Sequence, residues 1–119
     1  TAKNDVAGLI INNTKNKYSA VFGLDNEKGP NMTLLNRDGV PQIGLGYDDN
    51  EPFLKLIDEE KKGGVQLSVS KKGDPSMELR DSNGNTRFSL GLDESENPLM
   101  EFYDPAGKII WKPEIKESK

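Results

Sequence analysis

The chain has 119 residues, with 16 Lys+Arg, 20 Asp+Glu, no His, no Cys and a formal net charge of −4. That length holds one domain or one run of short repeats. The composition excludes a His/Cys zinc site, a Ser-His-Asp or Cys-His nucleophile and thiol redox chemistry, and an acidic pI of about 4.9 without a basic cluster excludes nucleic acid as the expected partner.

Residues 1–6 read as a flexible N-terminal tail, 7–112 as a single β-repeat domain and 113–119 as a flexible C-terminal tail. The sequence opens on Thr1 rather than Met, so a trimmed or processed form is expected, with any targeting segment upstream. The longest uncharged apolar run is of the kind Gly8-Leu9-Ile10-Ile11, far short of a bilayer span, so no membrane insertion by this fragment is expected. Absence of Cys is compatible with a cytosolic or an exported protein. The domain itself is organised by self-similarity. Pro30, Pro52, Pro75 and Pro98 lie 22, 23 and 23 residues apart, and counting back 23 from Pro30 reaches Ala7. Five repeats therefore start near 7, 30, 52, 75 and 98.

Two and four residues after the openers stand Leu9 and Ile11, Met32 and Leu34, Leu54 and Leu56, Met77 and Leu79, Met100 and Phe102. Thirteen, fifteen and seventeen after come Ala20, Phe22 and Leu24, then Ile43, Leu45 and Tyr47, Val65, Leu67 and Val69, Phe88, Leu90 and Leu92, and finally Trp111 alone. A spacing of two is the period of a half-buried strand, and no helical spacing of useful length competes with it. The fold class is all-β: about ten strands in repeated antiparallel β-hairpin units, forming a meander or a barrel. The rival is a β-solenoid with one coil per 23-residue repeat. Its parallel stacking would set Asp58, Asp81 and Asp104 in a like-charged ladder about 4.8 Å apart, which the antiparallel arrangement avoids. With Gly counted, the apolar share is a little under the globular norm, so a thin but sufficient core is expected, capped by Trp111.

The turns follow from the polar positions. Asn13, Asn36, Asp58, Asp81 and Asp104 share one position, with Asn16, Gly39, Lys61, Gly84 and Gly107 three residues on. An Asp side chain bonds nearby backbone N–H groups, and Gly or Asn tolerates positive φ, so a first turn is predicted there. With Asp81 and Thr86 flanking a four-residue loop, Leu79 should face Phe88 and Met77 should face Leu90. Second turns are predicted at Asp25–Gly29, Asp48–Glu51, Ser70–Asp74 and Asp93–Asn97. The one residue missing from the array falls in Asp48–Glu51, and the prolines stand at strand starts, where a missing N–H is tolerated.

One column faces the other way. Gly23, Gly46, Ser68 and Gly91 lie sixteen residues after their openers, beside the mostly small Val21, Gly44, Gln66 and Ser89. Two readings stand: a place where the sheet bends or twists sharply, or a tight contact with another sheet or another copy of the chain. These four are the candidate interface residues. The acidic loops Asp25 and Glu27, Asp48 to Glu51, and Asp93, Glu94 and Glu96 could supply some of the six to eight oxygens that calcium takes. They lack EF-hand spacing, however, and Lys71, Lys72 and Asp74 make the equivalent loop mixed in charge, so solvated hairpin loops explain them. Turn capping likewise explains Asp58, Asp81 and Asp104 without the paired carboxylates of a glycosidase. Tyr18, Tyr47, Tyr103 and Trp111 occupy different repeat positions, so no aromatic ladder offers itself to a sugar or choline. No catalytic residue, metal ligand or cofactor is assigned. A lone twisted sheet cannot bury one whole face unless it curls up or finds a partner. A homo-oligomer or another protein is the expected partner, and Lys112, Glu114 and Lys116 are expected to protect a sheet edge.

The unit Pro-x-φ-x-φ-x-Asp-x-x-Gly-x-x-Arg-x-φ-x-φ, best written out in Pro75-Ser76-Met77-Glu78-Leu79-Arg80-Asp81-Ser82-Asn83-Gly84-Asn85-Thr86-Arg87-Phe88-Ser89-Leu90, resembles a family of uncharacterised bacterial repeat proteins. The ending Gly107-Lys108-Ile109-Ile110-Trp111 is also similar to that family's, and the resemblance covers about residues 7–112. The motif's Arg survives only at Arg87, where the other repeats carry Ser19, Gln42, Gly64 and Ile110. Members often carry an N-terminal membrane anchor, which implies a cell-surface or secreted location; composition alone also allows the cytoplasm. The family brings no activity and no catalytic residues. The expectation is a non-catalytic β-repeat module with a structural or partner-binding role at the bacterial cell surface. The alternative is a calcium- or ligand-binding protein using the acidic inter-repeat loops.

Overall fold

A computed structural model describes residues 7–60 and 62–114; Lys61, Lys116 and most of the two tails lie outside that range. The period-2 columns become ten strands: β1 (Ala7–Asn12), β2 (Ser19–Asp25), β3 (Gly29–Leu35), β4 (Pro41–Asp48), β5 (Glu51–Ile57), β6 (Gly64–Val69), β7 (Pro75–Arg80), β8 (Thr86–Leu92), β9 (Pro98–Tyr103) and β10 (Ile109–Trp111). They form one sheet in the order β1 to β10, each strand antiparallel to the next. Among the described residues no helix occurs. Strands touch only their neighbours in sequence, and β1 does not meet β10. The sheet is an open meander. The barrel is corrected because the ends do not close, and the solenoid because every pairing is antiparallel.

The register carries the repeat columns straight across the sheet. Leu9, Phe22, Met32, Leu45, Leu54, Leu67, Met77, Leu90 and Met100 are successive cross-strand partners from β1 to β9. A second row runs from Ile11 through Ala20, Leu34, Ile43, Leu56, Val65, Leu79 and Phe88 to Phe102 and Trp111. A third pairs Leu24 with Pro30, Tyr47 with Pro52, Val69 with Pro75 and Leu92 with Pro98. Because partners alternate between faces with period two, all three rows share one face. The expected pairs Leu79–Phe88 and Met77–Leu90 are both present.

Loop chemistry sets that register. In the hairpin joining β7 and β8, Asp81 Oδ1 accepts hydrogen bonds from the N–H groups of Asn83 and Asn85, each at 3.0 Å. The N–H of Asp81 donates to the Asn85 carbonyl, and that of Gly84 to the Asp81 carbonyl. Gly84 has φ +84°, and the register shifts between Leu79 and Arg80 immediately before the turn. Asn36 with Gly39 (φ +74°) and Asp104 with Gly107 (φ +86°) repeat the device, each with its own register shift. A turn closed by a left-handed glycine and followed by a one-residue bulge keeps the apolar positions in phase on both sides. Asp48–Glu51, one residue shorter than its counterparts, solves the same problem differently. Asp48 pairs with Glu51 across a two-residue loop in which Asp49 (φ 49°) and Asn50 (φ 66°) are both left-handed, the geometry of a type I′ hairpin.

The expected core is absent. Among the described residues no hydrophobic side chain is buried, because nothing covers the face that the rows build. Trp111 does not cap a core; it is 51% exposed and stacks edge-on with Phe102 at 5.1 Å, which stacks in turn on Phe88 at 5.1 Å. The molecule is correspondingly extended, with a radius of gyration of 17.7 Å and extents of 56 × 32 × 25 Å. A compact domain of this length has a radius of about 13–14 Å.

Candidate functional site

Three features offer themselves: the glycine column, the acidic loops and the open apolar face. The column lies on the face opposite the apolar rows. Gly23 pairs with Asn31 on its β3 side, and Gly46, Phe53, Ser68, Ser76 and Gly91 follow one another across β4 to β8. The close approach that its glycines permit comes from the chain's own neighbouring strand. A methyl on Gly91 would stand 2.5 Å from the Pro75 carbonyl oxygen, and one on Gly46 would stand 3.0 Å from Asn31 Cβ and 3.2 Å from the Pro30 carbonyl oxygen. At Gly23 the nearest atom is the Asn31 side-chain oxygen, 2.9 Å away. Ser68, the one non-glycine of the four, sets its hydroxyl 3.2 Å from that of Ser76. The small residues thus let adjacent strands crowd together on this side of the sheet.

The even-numbered hairpin loops gather along one end of the sheet, since successive turns of a meander alternate between its two ends. There the mixed-charge loop Ser70–Asp74 lies between two acidic ones and joins both. Lys71 forms an ion pair with Asp49, and its backbone N–H donates to Glu51 Oε1 at 3.0 Å. Lys72 forms an ion pair with Glu94. Hydrogen bonding to Asp49 raises the Lys71 pKa above its ordinary value. Asp25 is held below the usual carboxylate range by the N–H groups of Glu27 and Lys28, and Asp93 by the N–H groups of Asn97 and Ser95. At the opposite end, partial desolvation pushes Asp81 up, but the N–H groups of Asn85 and Asn83 and the Arg87 guanidinium outweigh it and lower its pKa. Arg87, which the sequence pattern singled out, donates through Nε to the Tyr103 carbonyl at 2.9 Å and reaches Asp81 at 3.4 Å. It ties the β7–β8 turn to β9. Among the described residues no group of three or more Asp or Glu side chains converges as a metal site would require.

The apolar face is the largest of the three features. Its three rows contain no charged residue, and Leu9, Leu45, Leu67 and Leu90 in the central row are 58%, 47%, 43% and 37% exposed. Soluble monomers rarely leave contiguous apolar patches larger than a few hundred Å² open, and patches that exceed this mark interaction sites. At about 4.8 Å per strand and about 6.7 Å per residue pair, three rows of nine, ten and eight residues offer roughly 900 Å². The sequence identified the residues of this surface but assigned them to a core. The signal that could have corrected this was the polarity of the rest: the opposite face carries Lys55, Gln66, Glu78 and Glu101 in one cross-strand row, so it is not the inner face of a second layer. No protein-family model and no curated protein matches the chain.

Proposed function

We propose that the chain is a non-catalytic β-repeat module that works by binding, with its open apolar face as the working surface and the bacterial cell surface as its setting. The observation that carries the binding role is the uncovered face itself: three uncharged rows across the sheet, with no hydrophobic side chain buried. The non-catalytic reading is supported by the work that the candidate carboxylates already do. Asp81 and Asp104 accept backbone N–H groups within their own turns, a structural duty that repeats with the array. The cell-surface setting rests on the resemblance to anchored bacterial repeat proteins.

The three methionines provide the test. Met32, Met77 and Met100 all lie in the central apolar row, and peroxide converts an accessible thioether to its sulfoxide. In intact source cells the three should oxidise several-fold more slowly than in the urea-unfolded chain. Oxidation at the unfolded rate would show that nothing covers the face and would overturn the binding role. Labelling of the lysines by a membrane-impermeant amine reagent on intact cells tests the location.

A further inference from the structure

We propose that the occupant of the apolar face is the same face of a second copy of this chain, so that two open sheets supply each other's missing layer. The inference rests on the binding role proposed above and names the partner. Three observations favour the chain itself. The first is electrostatic: identical surfaces bring identical groups together, and the three apolar rows contain no charged side chain to repel its own copy. The opposite face carries Lys55, Glu78 and Glu101 and is unsuited to this role.

The second observation is geometric. The rows repeat at the strand spacing over nine and ten strands, so an apolar sheet of the same pitch and length matches them along their whole run. The chain encodes one, and two such faces pack about 10 Å apart in aligned sheets. The third is size: roughly 900 Å² from each copy is enough for a standard stable interface, which takes about 800 Å² per partner. The chain has 33% hydrophobic residues and buries none of their side chains among the described residues; mutual packing gives that content the interior it lacks.

Light scattering on a sizing column tests this, with two variants at adjacent positions. Leu67→Glu places a carboxylate in the centre of the apolar face, and Gln66→Glu places the same charge on the opposite face. The wild type and Gln66→Glu should run at twice the 13.2 kDa chain mass, and Leu67→Glu at the chain mass. Should Leu67→Glu fail to fold, a hundredfold dilution of the wild type decides, because the melting temperature of an assembly falls with concentration. A wild type at 13.2 kDa with a concentration-independent melting temperature overturns the proposal, as does a mass that climbs with concentration without settling. The methionine readout separates this failure from that of the binding role. Methionines open in a purified monomer but protected in cells would overturn self-association alone; methionines open in both would overturn both.

Discussion

Asn13, Asn36, Asp58, Asp81 and Asp104 perform one task in five hairpins: a side-chain oxygen gathers the N–H groups of the following turn. Asn serves as well as Asp because an amide oxygen accepts the same bonds. What Asp adds is pH dependence. Asp25, Asp81 and Asp93 all have folded pKa values below the ordinary value of 3.8. Their stabilisation is complete above the unfolded-chain value and is lost as the pH falls through the lower folded value. The triple variant Asp25→Asn, Asp81→Asn and Asp93→Asn should therefore be less stable than the wild type near neutrality and lose less stability below about pH 4. Urea midpoints measured from pH 3 to 7 check this, and equal acid-side losses would refute it. Lys71 acts in the opposite sense: its pKa is raised, so its contribution is complete at neutral pH and disappears as the pH rises through the folded value. Glycine position matters as much as charge. Gly91→Ala forces a methyl against the Pro75 carbonyl oxygen at 2.5 Å and should cost about 1–3 kcal/mol. Gly39→Ala has open space around it but a φ of +74°, and should cost about 1–2 kcal/mol from backbone strain alone. Chemical denaturation of the two variants measures both. The sequence left the Gly91 column either as a sharp bend or as a tight contact with another sheet or another copy, and the atom that comes close is the Pro75 carbonyl oxygen of the adjacent strand in the same sheet. The sequence could not tell which backbone approaches, because that depends on how far each strand twists against the next.

Hairpins were the most legible level. The facing of Leu79 on Phe88 and of Met77 on Leu90 followed from apolar parity, and both pairs are found, but the expected four-residue loop between Asp81 and Thr86 is not: Asp81 closes on Asn85 and Thr86 faces Arg80. The bulge that follows Gly39, Gly84 and Gly107 was hidden, since it adds one residue without disturbing the parity that the columns display. The residue missing from Asp48–Glu51 was visible as a gap, and the structure shows its effect: a two-residue turn in which Asp49 and Asn50 both take positive φ. Asn50→Gly relieves the remaining side-chain strain and should stabilise the protein by about 0.5 kcal/mol. A lower denaturation midpoint would contradict the turn assignment. The Lys71–Asp49 and Lys72–Glu94 pairs were invisible in sequence, as each spans 22 residues and depends on adjacent hairpins projecting their loops side by side. Exposed pairs of this kind contribute little to stability, but they offset the negative charge of the two acidic loops on either side of Ser70–Asp74.

At the scale of the whole molecule, composition and periodicity led to a core capped by Trp111 that the described residues do not contain. They specified an apolar face and could not show whether the sheet would close over it, because closure depends on strand tilt and stagger, which period-2 patterning does not encode. The sheet stays open and every strand leans only on its sequence neighbours. In such a chain stability is close to a sum of local terms. Amide hydrogen exchange should accordingly be slowest in β4 to β7 and fastest in β1 and β10, each of which has one neighbour; uniform protection would show that contacts beyond nearest neighbours hold the sheet. The same wiring makes the array a ruler. One repeat is two strands, so each duplication or loss of about 23 residues changes the length of the sheet by roughly 10 Å and leaves the remaining hairpins as they were. Evolution can thus set the reach of this protein in even steps, by copying or deleting one segment, without redesigning any turn or row.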